Sequence, residues 1–100
     1  MLFTINITPT ALEDIELAFD YYNSSSQNLG FRFVEELDNS LQFIAALPES
    51  YGYRYENVRV KLLTNFPFLI FFTINKSKFL VEVLRVFHTS QDPYWIKNTN

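Results

Sequence analysis

The spacing of apolar residues changes its period partway along the chain, and this change limits the fold more than any other feature. Between residues 11 and 45, apolar side chains recur every three or four positions, which predicts two amphipathic helices. After residue 58 they alternate or run continuously, which predicts β-strands. This pattern favours an α+β fold, in which a helical hairpin packs on a mostly antiparallel sheet.

The helical half is bounded by residues that start and stop helices. A short strand is predicted over residues 2–7, and Thr8-Pro9-Thr10 then begins the first helix, with Pro9 in the first turn or Thr10 as the cap. Residues 23–26 close this helix, and a second helix starts near Asn28 and ends at Pro48.

The remaining chain is predicted to form three strands after an aromatic-rich loop over residues 49–55. The predicted strands cover residues 58–63, 68–74 and 79–87. The second of them is apolar at both odd and even positions, as expected of a strand that is covered on both faces or central in the sheet. The predicted order is β-α-α-β-β-β, followed by a polar tail.

Length and residue content exclude several classes of protein. One hundred residues form one domain, which we assign to residues 1–100. With no Cys, one His and two Gly, we expect no disulfide, metal, cofactor or glycine-rich nucleotide loop. No basic residue precedes Arg32, and the apolar stretch over residues 66–74 is far below the roughly 18 residues of a membrane span. We therefore expect a soluble cytoplasmic protein without membrane contacts.

Charge is divided between the two halves of the chain. Residues 1–50 hold eight acids and one base, a balance of −7, whereas residues 51–100 hold seven bases and three acids, a balance of +4. This division suggests one face suited to an anionic partner and another that repels it. The alternative is that the helices simply carry acids that keep them hydrated.

Several residues are candidates for binding or chemistry. Arg59 and Lys61 share one face of a predicted strand, Arg54 precedes them, and Arg85 joins the set only if its side chain points outward. Tyr51, Tyr53 and Tyr55 offer stacking surfaces beside these cations. The alternative is that the cations keep one sheet face soluble while the rings pack on helix ends.

Other candidates lie on the helices and near the C-terminus. Leu17, Phe31 and Phe43 fall outside the apolar helical stripes, which makes them candidates for contact with a partner. His88 is a possible acid or base, although a lone His at a strand end is more often structural. Trp95 is a candidate for target binding, and the alternative is that it anchors the tail on the core.

A series of short segments carries a resemblance that covers nearly the whole chain. The series is Asp14-Ile15, Asp20-Tyr21-Tyr22, Leu29-Gly30-Phe31-Arg32-Phe33, Leu37, Pro48-Glu49-Ser50-Tyr51, Val58-Arg59, Phe66-Pro67-Phe68, Ile70, Val83-Leu84-Arg85-Val86-Phe87-His88 and Asp92-Pro93-Tyr94-Trp95. In this order the segments resemble the RelE/ParE family of bacterial toxins from type II toxin-antitoxin systems. The resemblance implies a small α+β toxin that is neutralised by an antitoxin encoded beside it.

The family contains ribonuclease-type members, which cut messenger RNA on the ribosome, and ParE-type members, which inhibit DNA gyrase. The resemblance places Thr89 where the ribonucleases have an arginine, Trp95 where they have a tyrosine, and Pro67 or Phe68 where they have a central arginine. The chain is more similar to the ParE type, although Gln91 stands where that type commonly has an arginine and the pI of about 5.0 is unusually acidic.

Three functions follow from this resemblance. The first is a plasmid-stabilisation toxin that binds a target such as gyrase, while its antitoxin contacts Leu17, Phe31 and Phe43. The second is an endoribonuclease acting on the ribosome, and the third is a non-toxic relative that only pairs with an antitoxin. The predicted target-binding residues are Arg54, Arg59, Lys61, Arg85, His88, Gln91, Tyr94 and Trp95; the catalytic candidates among them are Arg59, Lys61, Arg85 and His88.

Overall fold

The computed structural model describes residues 2–91, in which two helices cover one face of a five-stranded sheet. The elements are β1 (Thr4–Ile7), α1 (Pro9–Ser25), α2 (Leu29–Ala46), β2 (Tyr53–Tyr55), β3 (Val58–Leu62), β4 (Phe68–Asn75) and β5 (Leu80–His88), with 3-10 turns at Pro48–Ser50, Lys76–Lys78 and Thr89–Gln91. The strand order is β1-β5-β4-β3-β2, with β1 parallel to β5 and the other neighbours antiparallel. The predicted α+β architecture is confirmed.

The interpretation of residues 49–55 as a loop is wrong for Tyr53–Tyr55, which form β2 at the sheet edge. Tyr53 pairs with Arg59 and Tyr55 with Val58, and the register shifts between the two tyrosines. Three residues are too few to show an alternating pattern, so no periodicity indicated this strand. Glu56, with a φ of 44°, then turns the chain into β3.

Thr8 caps α1, and Pro9 occupies its first turn as predicted, whereas Thr10 is not the cap. The Thr8 hydroxyl accepts the Ala11 N–H at 3.2 Å and donates to the Leu84 carbonyl at 3.2 Å. Because Leu84 belongs to β5, the cap also fixes the start of α1 against the sheet. The second helix follows Asn28 as predicted, but the Asn28 side chain makes no capping hydrogen bond and its φ is 66°.

Alternation along β4 directs side chains to both faces of the sheet. Phe68, Ile70 and Phe72 point toward the helices and join the main core, which includes Phe33 and Ile44 of α2. Leu69 and Phe71 point the other way and form a second, smaller cluster with Val58. The prediction of a strand that is covered on both faces or central in the sheet is confirmed, since β4 is the middle strand of five.

Gly30 lets α1 and α2 approach closely. A Cβ added there would lie 2.7 Å from the Phe19 carbonyl oxygen, a backbone atom that cannot move aside alone. We expect Gly30→Ala to lower the free energy of unfolding by about 1–2 kcal/mol through overpacking. Thermal unfolding measures the change, with Gly52→Ala as the matched control, because a Cβ at Gly52 meets nothing within 4 Å. An unchanged Tm for Gly30→Ala would contradict this close approach.

Candidate functional site

The predicted basic residues separate into two groups on the sheet. Arg59 and Lys61 stand on β3 and pair with Phe72 and Ile70, on the side of the sheet that faces the helices. Arg85 stands on β5 opposite Phe71, so β4 lies between it and the β3 pair. Arg59 and Lys61 therefore share a strand face as predicted, but Arg85 does not join them.

Arg59 is held in place by the segment that precedes β3. Its Nη1 donates hydrogen bonds to the carbonyl oxygens of Tyr51 (2.6 Å) and Glu49 (3.2 Å), and its Nη2 donates to the Tyr53 hydroxyl (2.8 Å). The guanidinium carbon also lies 4.0 Å from the centroid of the Tyr53 ring. These charge-assisted bonds fasten the turn before β2 to the sheet, which is a structural task. Arg54 lies half-buried on the edge strand β2.

Lys61 lies beside aromatic rings at the margin of a cavity of about 660 Å³. Its ammonium nitrogen is 5.0 Å from the Tyr51 ring centroid and 5.9 Å from that of Phe43. The cavity runs between α2 and the β3–β4 connection, and Glu35, Glu36 and Arg32 also line it. A predicted target-binding residue and a predicted antitoxin-binding residue, Lys61 and Phe43, therefore line the same cavity.

Arg85 forms a two-pronged ion pair with Asp14 of α1. Its Nε and Nη2 donate to the two carboxylate oxygens at 2.8 and 2.9 Å, and the Val86 N–H donates to the same carboxylate at 3.0 Å. The Asp14 side chain is 13% exposed and that of Arg85 is 40% exposed. The hydrogen bond to Asp14 raises the pKa of the Arg85 guanidinium above its ordinary value, so Arg85 remains a cation.

His88 ends β5 with its Nδ1 already occupied. The Ser90 N–H donates to Nδ1 at 3.1 Å, the Ser90 hydroxyl lies 2.8 Å from the same nitrogen, and the ring packs edge-on against Phe68. Because Nδ1 accepts a backbone N–H, the proton of the neutral ring resides on Nε2. His88 therefore offers a donor rather than a free base.

A second cavity, of about 500 Å³, brings several predicted residues together between α1 and the end of β5. Arg85, His88 and Gln91 line it beside Leu17, and Tyr21 extends its apolar side. Target-binding and antitoxin-binding candidates therefore meet here as well. Tyr94 and Trp95 lie outside the described residues.

The three predicted antitoxin contacts occupy different places on the hairpin. Leu17, Phe31 and Phe43 are each between 61 and 64% exposed, so all three side chains are accessible. Leu17 lines the smaller cavity and Phe43 the larger one, whereas the Phe31 ring packs edge-on against Phe19 at 5.0 Å. These three exposed apolar side chains are separate from one another and do not form one contiguous patch.

Asp14 is quoted above only as part of the resemblance, and the sequence analysis did not predict it as a site residue. The carboxylate and its partner Arg85 are 71 residues apart, so no local pattern joins them. One signal was present, because Asp14 stands three residues after Ala11 and four before Ala18, both buried in the core. An acid at the spacing of an apolar stripe indicates a charge that needs a partner.

The described part of the chain contains no group of three or more His, Cys, Asp or Glu side chains that could hold a metal ion. Neither α1 nor α2 combines the length and the apolar character that crossing a membrane requires.

Thr89 donates its N–H to the Pro67 carbonyl at 2.8 Å, and Phe68 is buried in the core. Thr89 and Phe68, at two positions where the resemblance places arginines, therefore supply no cation.

Comparison with known proteins gives one family match and several structural matches. The model described as "ParE toxin of type II toxin-antitoxin system, parDE" matches residues 5–93. A search of curated protein sequences gave no match. Among solved structures, the chromosomal ParDE toxin-antitoxin system from P. aeruginosa matches with a TM-score of 0.76 and 19% identity, covering 87% of this chain and 96% of that one.

Two other solved structures share the fold at lower similarity. The toxin-antitoxin complex RelBE2 from Mycobacterium tuberculosis matches with a TM-score of 0.61 and 16% identity, covering 88% of this chain and 92% of that one. A mutant of the E. coli toxin RelE in the free state matches with a TM-score of 0.59 and 14% identity, and each chain is covered completely. At these identities the structural matches establish a shared fold.

Proposed function

Because this chain belongs to the ParE toxin family of type II toxin-antitoxin systems, we propose that it is a toxin that acts by binding rather than by cleavage. Its target is a cytoplasmic macromolecule such as DNA gyrase, and a cognate antitoxin neutralises it. In this proposal the system serves plasmid stabilisation.

The proposal rests on one observation: the cations that a nuclease would need already make hydrogen bonds within the protein. Arg59 bonds to two backbone carbonyls and a tyrosine, and Arg85 bonds to Asp14. Cleavage of a phosphodiester requires a general base and cations within hydrogen-bond reach of one reacting phosphate. With β4 between Arg59 and Arg85, and with His88 Nδ1 occupied, the described residues favour binding.

The cavity between α1 and β5 is the proposed target-binding site. It combines His88, Gln91 and the part of the Arg85 guanidinium that is not bonded to Asp14 with the apolar side chains of Leu17 and Tyr21. A few polar groups around an apolar centre are typical of protein interfaces. Arg54 on β2 and Lys61 on β3 lie elsewhere on the sheet. Their positive charges supply longer-range electrostatic attraction to an acidic target.

The helical hairpin is the proposed antitoxin surface. Residues 9–46 contain seven acids and one base, a balance of −6, and they expose Leu17, Phe31 and Phe43. An acidic surface with separated apolar points fits a basic amphipathic segment, whose apolar residues contact these side chains while its cations face the acids. The neutralising segment of the antitoxin is accordingly expected to be basic.

Induction of the gene in a bacterial host tests the proposed function. We expect growth arrest and gyrase-linked DNA breaks, and we expect co-expression of the reading frame that adjoins the gene to prevent both. Mapping of transcript ends in the same cells separates the two toxic mechanisms. Specific cuts in translated messages would support the endoribonuclease instead, and normal growth, replication and transcripts would leave a relative that only pairs with an antitoxin.

Gln91→Ala tests the proposed target-binding site. The Gln91 side chain is exposed at the margin of the cavity, so we expect no change in Tm. We expect loss of its polar contact with the target to cost about 1.4–2 kcal/mol, which corresponds to a roughly tenfold to thirtyfold weaker affinity for the target and less growth arrest. Lys78→Ala, at the opposite end of β5, is the matched control. If both variants arrested growth equally, the target would have to bind at a site other than this cavity.

A further inference from the structure

Strand β5 contains one residue more than regular pairing with β4 allows. Phe72 pairs with Val83 and Phe71 pairs with Arg85, so Leu84 has no partner on β4. An extra residue in one strand of an antiparallel pair is a β-bulge, which bends its strand and increases the local twist. Bulges recur beside functional sites, where they re-aim a side chain. This bulge lies where β5 passes from its pairing with β1 to the cavity beside α1.

Burial along β5 fixes the position of the bulge. Side chains of a regular strand alternate between the two faces, so residues that share a face are an even number apart. Val81, Val83 and Val86 all belong to the main core, although Val83 and Val86 are three residues apart. Leu84 instead joins the smaller cluster on the other face. The bulge therefore lets both Val83 and Val86 enter the main core.

The bulge also turns two successive carbonyl groups toward the start of α1. In a regular strand neighbouring carbonyl groups point in opposite directions, so only one of the two would face α1. Here the Thr8 N–H donates to the Val83 carbonyl at 3.1 Å, and the Thr8 hydroxyl donates to the Leu84 carbonyl at 3.2 Å. Both bonds come from the residue that caps α1. The extra residue thus joins the start of the helix to β5.

On the other side of the bulge, Arg85 reaches a carboxylate to which regular alternation would not direct it. Arg85 pairs with Phe71, whose side chain points away from the helices. Its guanidinium nevertheless bonds to Asp14 of α1, and the Val86 N–H bonds to the same carboxylate. The added twist of a bulge supplies such a change in direction. Thr8 and Asp14 therefore hold the bulge from both sides.

We propose that Leu84, through its backbone, is a positioning residue for the cavity between α1 and β5. The bulge that it forms holds α1 and the end of β5 at the separation that leaves this cavity open, and it directs Arg85 along the cavity wall. Val86 and His88 follow the bulge and line the same cavity. The consequence for growth arrest rests on the proposed target-binding site, whereas the geometry of the bulge does not.

Deletion of Leu84 tests the proposal, because it removes the bulge and leaves every other paired β5 residue opposite its present partner on β4. We expect hydrogen exchange at the Val86 amide to become at least about tenfold faster, since its bond to the Asp14 carboxylate is lost. The Val81 amide, in the part of β5 that pairs with β1, should keep its rate. Growth arrest should fall at least to the level of Gln91→Ala.

Leu84→Ala is the matched control, since it shortens the side chain and keeps the extra residue. We expect it to retain slow Val86 exchange and growth arrest. Equal effects of Leu84→Ala and the deletion would assign the role to the side chain and overturn the proposal, and so would unchanged Val86 exchange in the deletion variant. If Gln91→Ala weakened growth arrest and the deletion did not, the positioning role alone would be wrong. If neither did, the proposed target-binding site would be wrong, and the positioning role with it.

Thr8→Val provides a measurement that does not depend on the folding of the deletion variant. It removes the hydroxyl that bonds to the Leu84 carbonyl, whereas Thr8→Ser keeps a hydroxyl there. Because the bulge joins Thr8 to the strand that Asp14 holds, we expect Thr8→Val to make Val86 exchange about threefold faster or more, and Thr8→Ser to leave it unchanged. Faster exchange confined to the first turn of α1 would mean that the hydroxyl acts only as a helix cap, and it would overturn the proposal.

Discussion

Replacing Asp14 by Ala is expected to lower the free energy of unfolding by about 2–3 kcal/mol, because three donors lose their common acceptor. The donors are Arg85 Nε, Arg85 Nη2 and the Val86 N–H, all within 3.0 Å of the carboxylate. For a domain of about 100 residues this corresponds to a decrease in Tm of about 10–20 °C. Thermal unfolding followed by circular dichroism measures it.

Two variants control for the loss of a negative charge from α1. Glu13→Ala removes the adjacent acid, which has an exposed side chain, and we expect a change below about 0.5 kcal/mol. A double-mutant cycle with Arg85→Ala isolates the pair, and we expect a coupling energy of about 1–3 kcal/mol. A coupling near zero would mean that the Asp14–Arg85 pair contributes no more than an ordinary surface ion pair.

The elements that the sequence predicts well are those with a long periodic pattern. The apolar stripe from Ala11 to Tyr22 predicts α1, and the apolar run from residue 68 predicts β4. Burial of a helix or strand requires apolar residues at a regular spacing, and that spacing is visible in the sequence. Strand β2 has three residues and a register shift, so its pairing with β3 is visible only in three dimensions. The α1 cap illustrates the same limit, since Thr8 is selected over Thr10 partly by its bond to Leu84.

Arg85, His88 and Gln91 are close in sequence, and the structure brings them to one cavity. Their role in target binding stays a prediction. The hydrogen-bond partners of Arg59 and Arg85 could not be predicted from the sequence. Residue type alone does not distinguish a cation that faces water from one that bonds to two carbonyl oxygens. Hydrogen bonds between distant elements decide that difference, and they depend on the folded backbone.

Replacing Arg59 by Ala is expected to lower the free energy of unfolding by about 2–3 kcal/mol. The side chain donates to Tyr51 O, Glu49 O and Tyr53 Oη and packs on the Tyr53 ring, so its loss frees the segment that leads into β2. Hydrogen exchange should become faster for the β2 and β3 amides before it changes in β5. Growth arrest should weaken because the edge of the sheet loosens.

Lys61→Ala is the matched control for Arg59→Ala, since both cations stand on the same face of β3 but the Lys61 ammonium lies near the rings of Phe43 and Tyr51 instead of bonding to backbone carbonyls of the preceding segment. We expect a loss below about 1 kcal/mol for Lys61→Ala. Arg59→Lys keeps a cation on β3 without the two-armed guanidinium, so it should be destabilised nearly as much as Arg59→Ala. If Arg59→Ala instead kept its Tm and exchange rates while losing all toxicity, Arg59 would have to contact the target directly, and a structural role for its three hydrogen bonds would be wrong.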